Sequence, residues 1–110
     1  MITNVVENGK MYYDFKSLCN ALNISPADRT RLGRLVKSSS IRVIEVNESG
    51  KELSYAYTSD EGVLIMLNEF KGFNKILKAF KLRKTIYGKY IFKGFFKMII
   101  TGVIPTTYFK

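Results

Sequence analysis

Two amphipathic segments of the sequence are separated by only four residues, Asn-Ile-Ser-Pro at positions 23–26, and this short break limits the possible folds. Asn23 is one of the few non-glycine residues that tolerate the left-handed conformation of a tight turn. Ser25 followed by Pro26 is a typical N-cap and first-turn pair. The sequence therefore predicts two helices joined by a short turn.

The segment before the break combines a strand with a helix. The aromatic-rich stretch Lys-Met-Tyr-Tyr-Asp-Phe at 10–15 predicts a short strand that ends at Asp14. Asp14 is expected to be the N-cap of a helix over about 15–23. One face of that helix carries Phe15, Leu18, Ala21 and Leu22. Cys19 lies beside this face, and because no base accompanies it we expect a packed, unreactive thiol.

The segment after the break is a basic helix over about 26–38. Leu32, Leu35 and Val36 have the spacing of an inner apolar stripe along this helix. Gly33 lies in the same helix. The opposite faces carry Thr30, Arg31, Arg34 and Lys37. Basic side chains on a short helix are typical of a solvated face and equally of a nucleic-acid contact, and their spacing does not separate the two interpretations.

Residues 41–57 change to a period of two, which is typical of strands. The alternating apolar positions are Ile41, Val43, Leu53, Tyr55 and Tyr57, on either side of Asn-Glu-Ser-Gly-Lys at 47–51. This pattern predicts a β-hairpin. Thr58 to Glu61 fits a capping box, so a helix is expected over about 60–70. Its inward side chains would be Val63, Leu64, Leu67 and Phe70.

Charge divides the chain into two parts, and we expect a single domain at 1–70 with a basic, apolar helical extension at 71–110. Residues 1–70 contain eight Lys or Arg and nine Asp or Glu, whereas residues 71–110 contain ten Lys or Arg and no acidic residue. Such asymmetry favours a polyanionic partner, either nucleic acid or anionic lipid.

The last third of the chain predicts a basic amphipathic helix that is interrupted near Gly88 or Gly94. Lys89, Lys93 and Lys97 argue against a membrane-spanning helix, because a charge at the bilayer centre costs about 2.5–3.5 kcal/mol. Apolar residues at helical spacing are expected to form a dimer or partner seam, namely Phe73, Ile76, Leu77, Phe80, Phe92, Phe95 and Ile99.

The residue types that are missing exclude several classes of site. The chain has no histidine and a single cysteine, so it has no internal disulfide, no Cys/His metal cluster and no Ser-His or Cys-His nucleophile pair. We therefore expect a binding protein without a metal or cofactor rather than an enzyme. The amino terminus does not resemble a signal peptide, so a location in the cytoplasm or nucleoid is expected.

Strand, helix, turn, basic helix, hairpin and helix follow one another in the order of a winged helix-turn-helix. The sequence thus predicts an α+β fold in which the second helix enters a DNA major groove and the hairpin reaches the adjacent backbone. The expected nucleic-acid-binding residues are Ser25, Arg29, Thr30, Arg31, Arg34, Lys37, Arg42 and Lys51.

The stretch YYDFKSLCNALNISPADRTRLGRLV at 12–36 resembles the amino-terminal domain of phage and viral Bro/KilA-N-type regulators, a group that includes many phage antirepressors. In that family a strand leads into a helix with an "LC..AL" or "VC..AL" core, a polar turn and an arginine-bearing helix. The matching positions are Leu18, Cys19, Ala21, Leu22, Pro26, Asp28, Arg31 and Arg34. TSDEGVLIML resembles the family's "SE.GL" helix start, at Ser59, Glu61, Gly62 and Val63. The likeness covers about residues 10–70.

The resemblance implies a small phage- or prophage-encoded regulator that binds double-stranded DNA or a regulatory protein. The leading hypothesis is a DNA-binding transcriptional regulator that forms a homodimer through its carboxy-terminal extension. The alternative is an antirepressor-like inhibitor or adaptor that binds a host or phage regulatory protein. A membrane-surface protein is a third hypothesis, because a lysine-rich helix that bears Phe92, Phe95, Phe96 and Ile99 suits an anionic interface.

Overall fold

The computed structural model describes residues 2–110, in which a four-stranded antiparallel sheet packs with five α-helices. The strands are β1 (Asn4–Glu7), β2 (Lys10–Asp14), β3 (Ser40–Val46) and β4 (Glu52–Ser59). The helices are α1 (Phe15–Ala21), α2 (Pro26–Leu35), α3 (Asp60–Asn68), α4 (Gly72–Tyr87) and α5 (Phe95–Thr101). Short 3-10 segments occupy Lys37–Ser39 and Thr106–Phe109. The predicted α+β class is confirmed.

The sheet has the order β1-β2-β4-β3, so the two helices α1 and α2 connect strands that are not neighbours. The predicted hairpin is present, and its register runs from Ser40 opposite Thr58 to Val46 opposite Glu52. Strand β1 was not predicted. It pairs with β2 through a turn at Asn8 and Gly9, which have φ values of 52° and 75°.

The short connection between α1 and α2 has the predicted local structure. Asp14 accepts a hydrogen bond from the Ser17 amide at 3.3 Å and caps α1. Asn23 adopts a left-handed φ of 53°. Ser25 Oγ accepts a hydrogen bond from the Asp28 amide at 3.3 Å and caps α2. Because each of these residues satisfies a local backbone need, the two helices follow one another closely.

Helix α2 is shorter than the predicted 26–38 and ends at Leu35, followed by the 3-10 segment. Leu32 and Val36 are buried as expected, but the prediction for Leu35 was wrong, since its side chain is 44% exposed. Leu32 and Val36 face the core, whereas Leu35 lies on the other side of the predicted stripe and is not covered by it.

The start of α3 differs from the predicted capping box. Thr58 is fully buried in β4, and its hydroxyl donates a hydrogen bond to the Ser39 carbonyl at 3.3 Å instead of capping the helix. Helix α3 begins at Asp60, and a Cβ atom at Gly62 would overlap Thr58 Oγ1. Gly62 therefore permits the close approach of α3 to the end of β4 and to Ser39.

The last third of the chain contains two helices, α4 and α5, and the predicted interruption near Gly88 or Gly94 is present. Gly88 ends α4 in the left-handed region with a φ of 73°, and Gly94 precedes α5 with a φ of 91°. A left-handed residue stops helical hydrogen bonding, so the interruption predicted near these glycines divides the segment into two helices. Neither they nor any other helix within residues 2–110 has the length and apolar content needed to cross a bilayer.

One apolar core joins the sheet, the paired helices and the carboxy-terminal segments. Its completely buried side chains include Leu18, Leu32, Met66, Leu82, Met98 and Tyr108. Each contributes about 1.5–3 kcal/mol to folding through removal of apolar surface from water. The carboxy-terminal helices thus pack on the same core as the amino-terminal part.

Candidate nucleic-acid interface

A cleft of about 500 Å³ lies between α2 and the β3–β4 hairpin, and it brings together five of the eight residues predicted to bind nucleic acid. These are Arg29, Thr30, Arg34, Lys37 and Arg42. The floor is apolar and contains Phe15, Gly33, Val36, Ile41 and Ala56. Among the residues described, no Asp or Glu lines the cleft. The geometry therefore gives an apolar depression surrounded by positive charge.

Arg29 has a structural role in addition to its charge. Its Nε donates a hydrogen bond to the Ile24 carbonyl at 2.9 Å, and its Nη2 donates one to Asn20 Oδ1 at 2.8 Å. These two bonds hold the turn between α1 and α2. Arg29 consequently adds positive potential to the cleft while its guanidinium stays attached to the turn.

Arg31 lies outside the cleft and is paired with acids. Its guanidinium donates a hydrogen bond to the Glu69 carboxylate and lies 3.6 Å from Asp28 Oδ1. The two hydroxyls predicted to bind nucleic acid are also engaged locally. Ser25 caps α2, and Thr30 Oγ1 donates a hydrogen bond to the Pro26 carbonyl at 3.4 Å. The first turn of α2 is therefore occupied by its own contacts.

Arg34, Lys37, Arg42 and Lys51 are the predicted cations without such partners. Their side chains are exposed, and within residues 2–110 none of them forms an ion pair. Arg34 lies at the end of α2, Lys37 begins the following 3-10 segment, Arg42 lies on β3, and Lys51 lies in the connection at the far end of the hairpin. We refer to these four residues as the α2–β3 surface.

The residues of the predicted dimer seam fall into two groups. Phe92 is only 7% exposed, and its ring meets that of Tyr108 edge to face at 5.2 Å. Phe80 and Phe95 stack at 4.9 Å, and Ile76 and Phe80 pack against the core. The exposed members are Phe73, Leu77 and Ile99. The prediction that Phe92 contributes to a surface seam is corrected, because its ring packs in the core of the same chain.

Arg83 is a buried cation that the sequence did not distinguish from the solvated lysines around it. It is 1% exposed, and its guanidinium lies 4.3 Å from the ring centre of Tyr87 and 4.9 Å from that of Phe92. Its Nη2 donates a hydrogen bond of 2.7 Å to the Lys110 carbonyl. A signal was present, because Ile76, Ala79, Phe80 and Arg83 share one helical face.

Burial also sets the ionisation of two groups near the core. Burial raises the pKa of Cys19 to about 11, so its thiol is protonated at neutral pH, in agreement with the predicted packed thiol. Burial likewise raises the pKa of Asp60 above its ordinary value. Neither group lines the cleft. The chemistry of the cleft is therefore determined by three arginines, one lysine and an apolar floor.

Comparisons of the chain with protein-family models, curated proteins and solved structures found no match.

Proposed function

We propose that the chain binds double-stranded DNA through the α2–β3 surface and acts as a DNA-binding regulator. This proposal depends most on the grouping of Arg34, Lys37 and Arg42 around one cleft that, within residues 2–110, no Asp or Glu lines. Three cations around one cleft suit the phosphates of a nucleic-acid backbone, and the arginine forks also suit the O6 and N7 atoms of guanine.

In this proposal α2 and the hairpin act as the helix and wing of a winged helix-turn-helix. Arg34 at the end of α2 and Lys37 in the following 3-10 segment meet the duplex, and Lys51 contacts a neighbouring phosphate from the hairpin connection. Because Arg31 and the hydroxyls of the first turn already have partners, most of the contacts are made to phosphates. Binding is accordingly strongly dependent on salt and only modestly dependent on sequence.

Two copies would place two such surfaces on successive turns of a duplex. Phe73 and Leu77 lie four residues apart on α4 and are 71% and 50% exposed, so they form an apolar strip suited to a homodimer contact. The resemblance of residues 10–70 to Bro/KilA-N-type regulators supports a regulatory role for this DNA binding in a phage or prophage.

Fluorescence anisotropy with a labelled duplex tests the proposal. Replacement of Arg34 and Arg42 together by alanine should weaken duplex binding about tenfold or more, which corresponds to about 1.4 kcal/mol. A matched variant, Lys16→Ala with Lys71→Ala, removes two exposed cations elsewhere and should retain most of the affinity. Equal affinities of the two variants would contradict the proposal.

A protein-binding inhibitor is the second candidate, and an exposed apolar face of α5 favours it. Phe96 and Ile100 are 75% and 82% exposed, and Lys93 and Lys97 lie beside them. Such a face suits a partner with apolar and acidic side chains. A photo-crosslinking residue at position 96 should then capture a regulatory protein in the host cell, whereas one at position 37 should not, and the purified chain should have no affinity for duplex DNA.

A further inference from the structure

We propose that the cleft between α2 and the hairpin seats one unpaired nucleotide, with its base on the apolar floor and its phosphate on the cationic rim. This inference rests on the proposed function and adds a ligand class to it. The ligand chemistry is that of a nucleoside monophosphate, present either as an unpaired nucleotide within a strand or as a free molecule.

The composition of the cleft selects this chemistry. Its volume of about 500 Å³ lies within the range typical of small-ligand sites. A purely apolar ligand would leave the charges of Arg34, Lys37 and Arg42 without a counter-charge. A simple anion would leave the floor of Phe15, Ile41 and its neighbours in water. A ligand with a flat, weakly polar base and an adjoining phosphate satisfies both parts.

Gly33 supplies a second observation, because no feature of the fold requires a glycine there. Its φ is not left-handed, and a Cβ atom would lie 3.7 Å from the Phe15 ring, which is ordinary van der Waals contact. Glycine within a helix costs stability relative to alanine. The absent side chain leaves the edge of the Phe15 ring open to the cleft, where a base can pack against it.

A base within an intact duplex is paired and stacked, so it cannot enter a cleft of this kind. The cleft therefore discriminates between perfect duplexes and nucleic acids with an unpaired nucleotide. The cations at the rim can contact the phosphates of both kinds of nucleic acid. The apolar floor can contact only the base of an unpaired nucleotide. This division allows the floor to be tested without removal of the phosphate contacts.

The experiment measures binding of the full chain to a perfect duplex and to the same duplex with a single-nucleotide bulge. We expect the bulged duplex to bind about tenfold more tightly, as one base stacked on an aromatic ring would give. Gly33→Leu, which fills the cleft, should remove this preference, so that the ratio of the two affinities falls to about one. Gly33→Ala, which fits the available space, should retain part of the preference.

Circular dichroism and thermal melting check that each variant folds. If Gly33→Leu does not fold, Ala56→Leu fills the cleft from β4 and should have the same effect. A free nucleoside monophosphate and inorganic phosphate are added as competitors. The nucleotide should compete with the bulged duplex more effectively than phosphate does. Equal competition would overturn the inference, because it would show that the base contributes nothing to binding.

The outcomes separate this inference from the proposed function. Equal affinity for the two duplexes, with a loss of both in the Arg34 and Arg42 variant, would overturn the nucleotide site and leave duplex binding supported. Binding of the free nucleotide that Gly33→Leu abolishes, without any duplex binding, would support the site and overturn the proposed function.

Discussion

Arg31 in α2 donates a hydrogen bond to Glu69, the residue that follows α3. The two residues are 38 positions apart in the sequence, and their contact joins α2 to the end of α3. The pair places the guanidinium between two carboxylates, since Asp28 lies 3.6 Å from it. Arg31 is therefore neutralised by its neighbours, whereas Arg34, one turn further along α2, has no acidic partner among residues 2–110.

This difference predicts unequal effects of two similar substitutions on DNA binding. Arg31→Ala should weaken duplex binding less than Arg34→Ala, because the paired guanidinium would have to leave its carboxylates to reach a phosphate. Arg31→Ala should instead lower the free energy of unfolding by up to about 1 kcal/mol, as expected for an exposed ion pair. Anisotropy and urea titration measure the two effects, and an equal or larger affinity loss for Arg31→Ala would count against this role.

Tyr108 connects the carboxy-terminal segment to α4. Its hydroxyl donates a buried hydrogen bond of 2.8 Å to the Ala79 carbonyl. Tyr108→Phe should therefore cost about 0.5–1.5 kcal/mol of stability. Because both residues belong to the shared core, urea unfolding followed by tyrosine fluorescence and by circular dichroism should give one coincident transition. Two separated transitions would show that 71–110 unfolds independently.

Asp60 gives the folded protein a defined pH dependence. Burial raises its pKa above the ordinary value of 3.8, so the folded state holds this proton more tightly than the unfolded state does. The contribution of this proton to the stability of the fold is fully present below pH 3.8, and it is lost as the pH rises through the pKa of Asp60 in the folded state. Asp60→Asn should therefore gain stability relative to the parent as the pH rises through this window, measured by urea titration. A relative loss of stability over the same window would contradict this assignment.

The proposed homodimer contact depends on exposed side chains of α4. Phe73→Glu with Leu77→Glu should give a folded monomer in sedimentation experiments, because both side chains are exposed and the charges oppose burial. Phe92→Glu should unfold the chain instead, since Phe92 lies in the core. Ile100→Glu on α5 is the matched control and should stay dimeric. A dimer that persists in the α4 variant would exclude this contact.

Much of the local structure was predictable because short-range signals carry it. Asp14, Asn23 and Ser25 each satisfy a need of the adjacent backbone, so their roles follow from residue type and position. The Asn8-Gly9 pair is an equally clear hairpin signal, and it indicates the turn that joins β1 to β2.

The remaining features depend on contacts between residues that are distant in the sequence. The pairing of Arg31 with Glu69, the burial of Phe92 and the use of Thr58 to bond Ser39 all arise when separate elements meet. For the candidate site, the sequence identified the cations at the rim. It did not identify the floor, because Phe15 reaches the cleft from α1 and Ala56 reaches it from β4.

The salt dependence of duplex affinity shows whether the cations of the α2–β3 surface contact phosphates. Each phosphate contact contributes about −0.9 to the slope of log K against log salt concentration. A variant with Arg34, Lys37 and Arg42 replaced by alanine should therefore show a slope that is shallower by about 0.9 per lost contact. A variant with the same number of exposed lysines replaced, at Lys71, Lys81 and Lys97, should keep the parent slope. If the lysine variant flattens the slope and the α2–β3 variant leaves it unchanged, the α2–β3 surface is not the site of DNA binding.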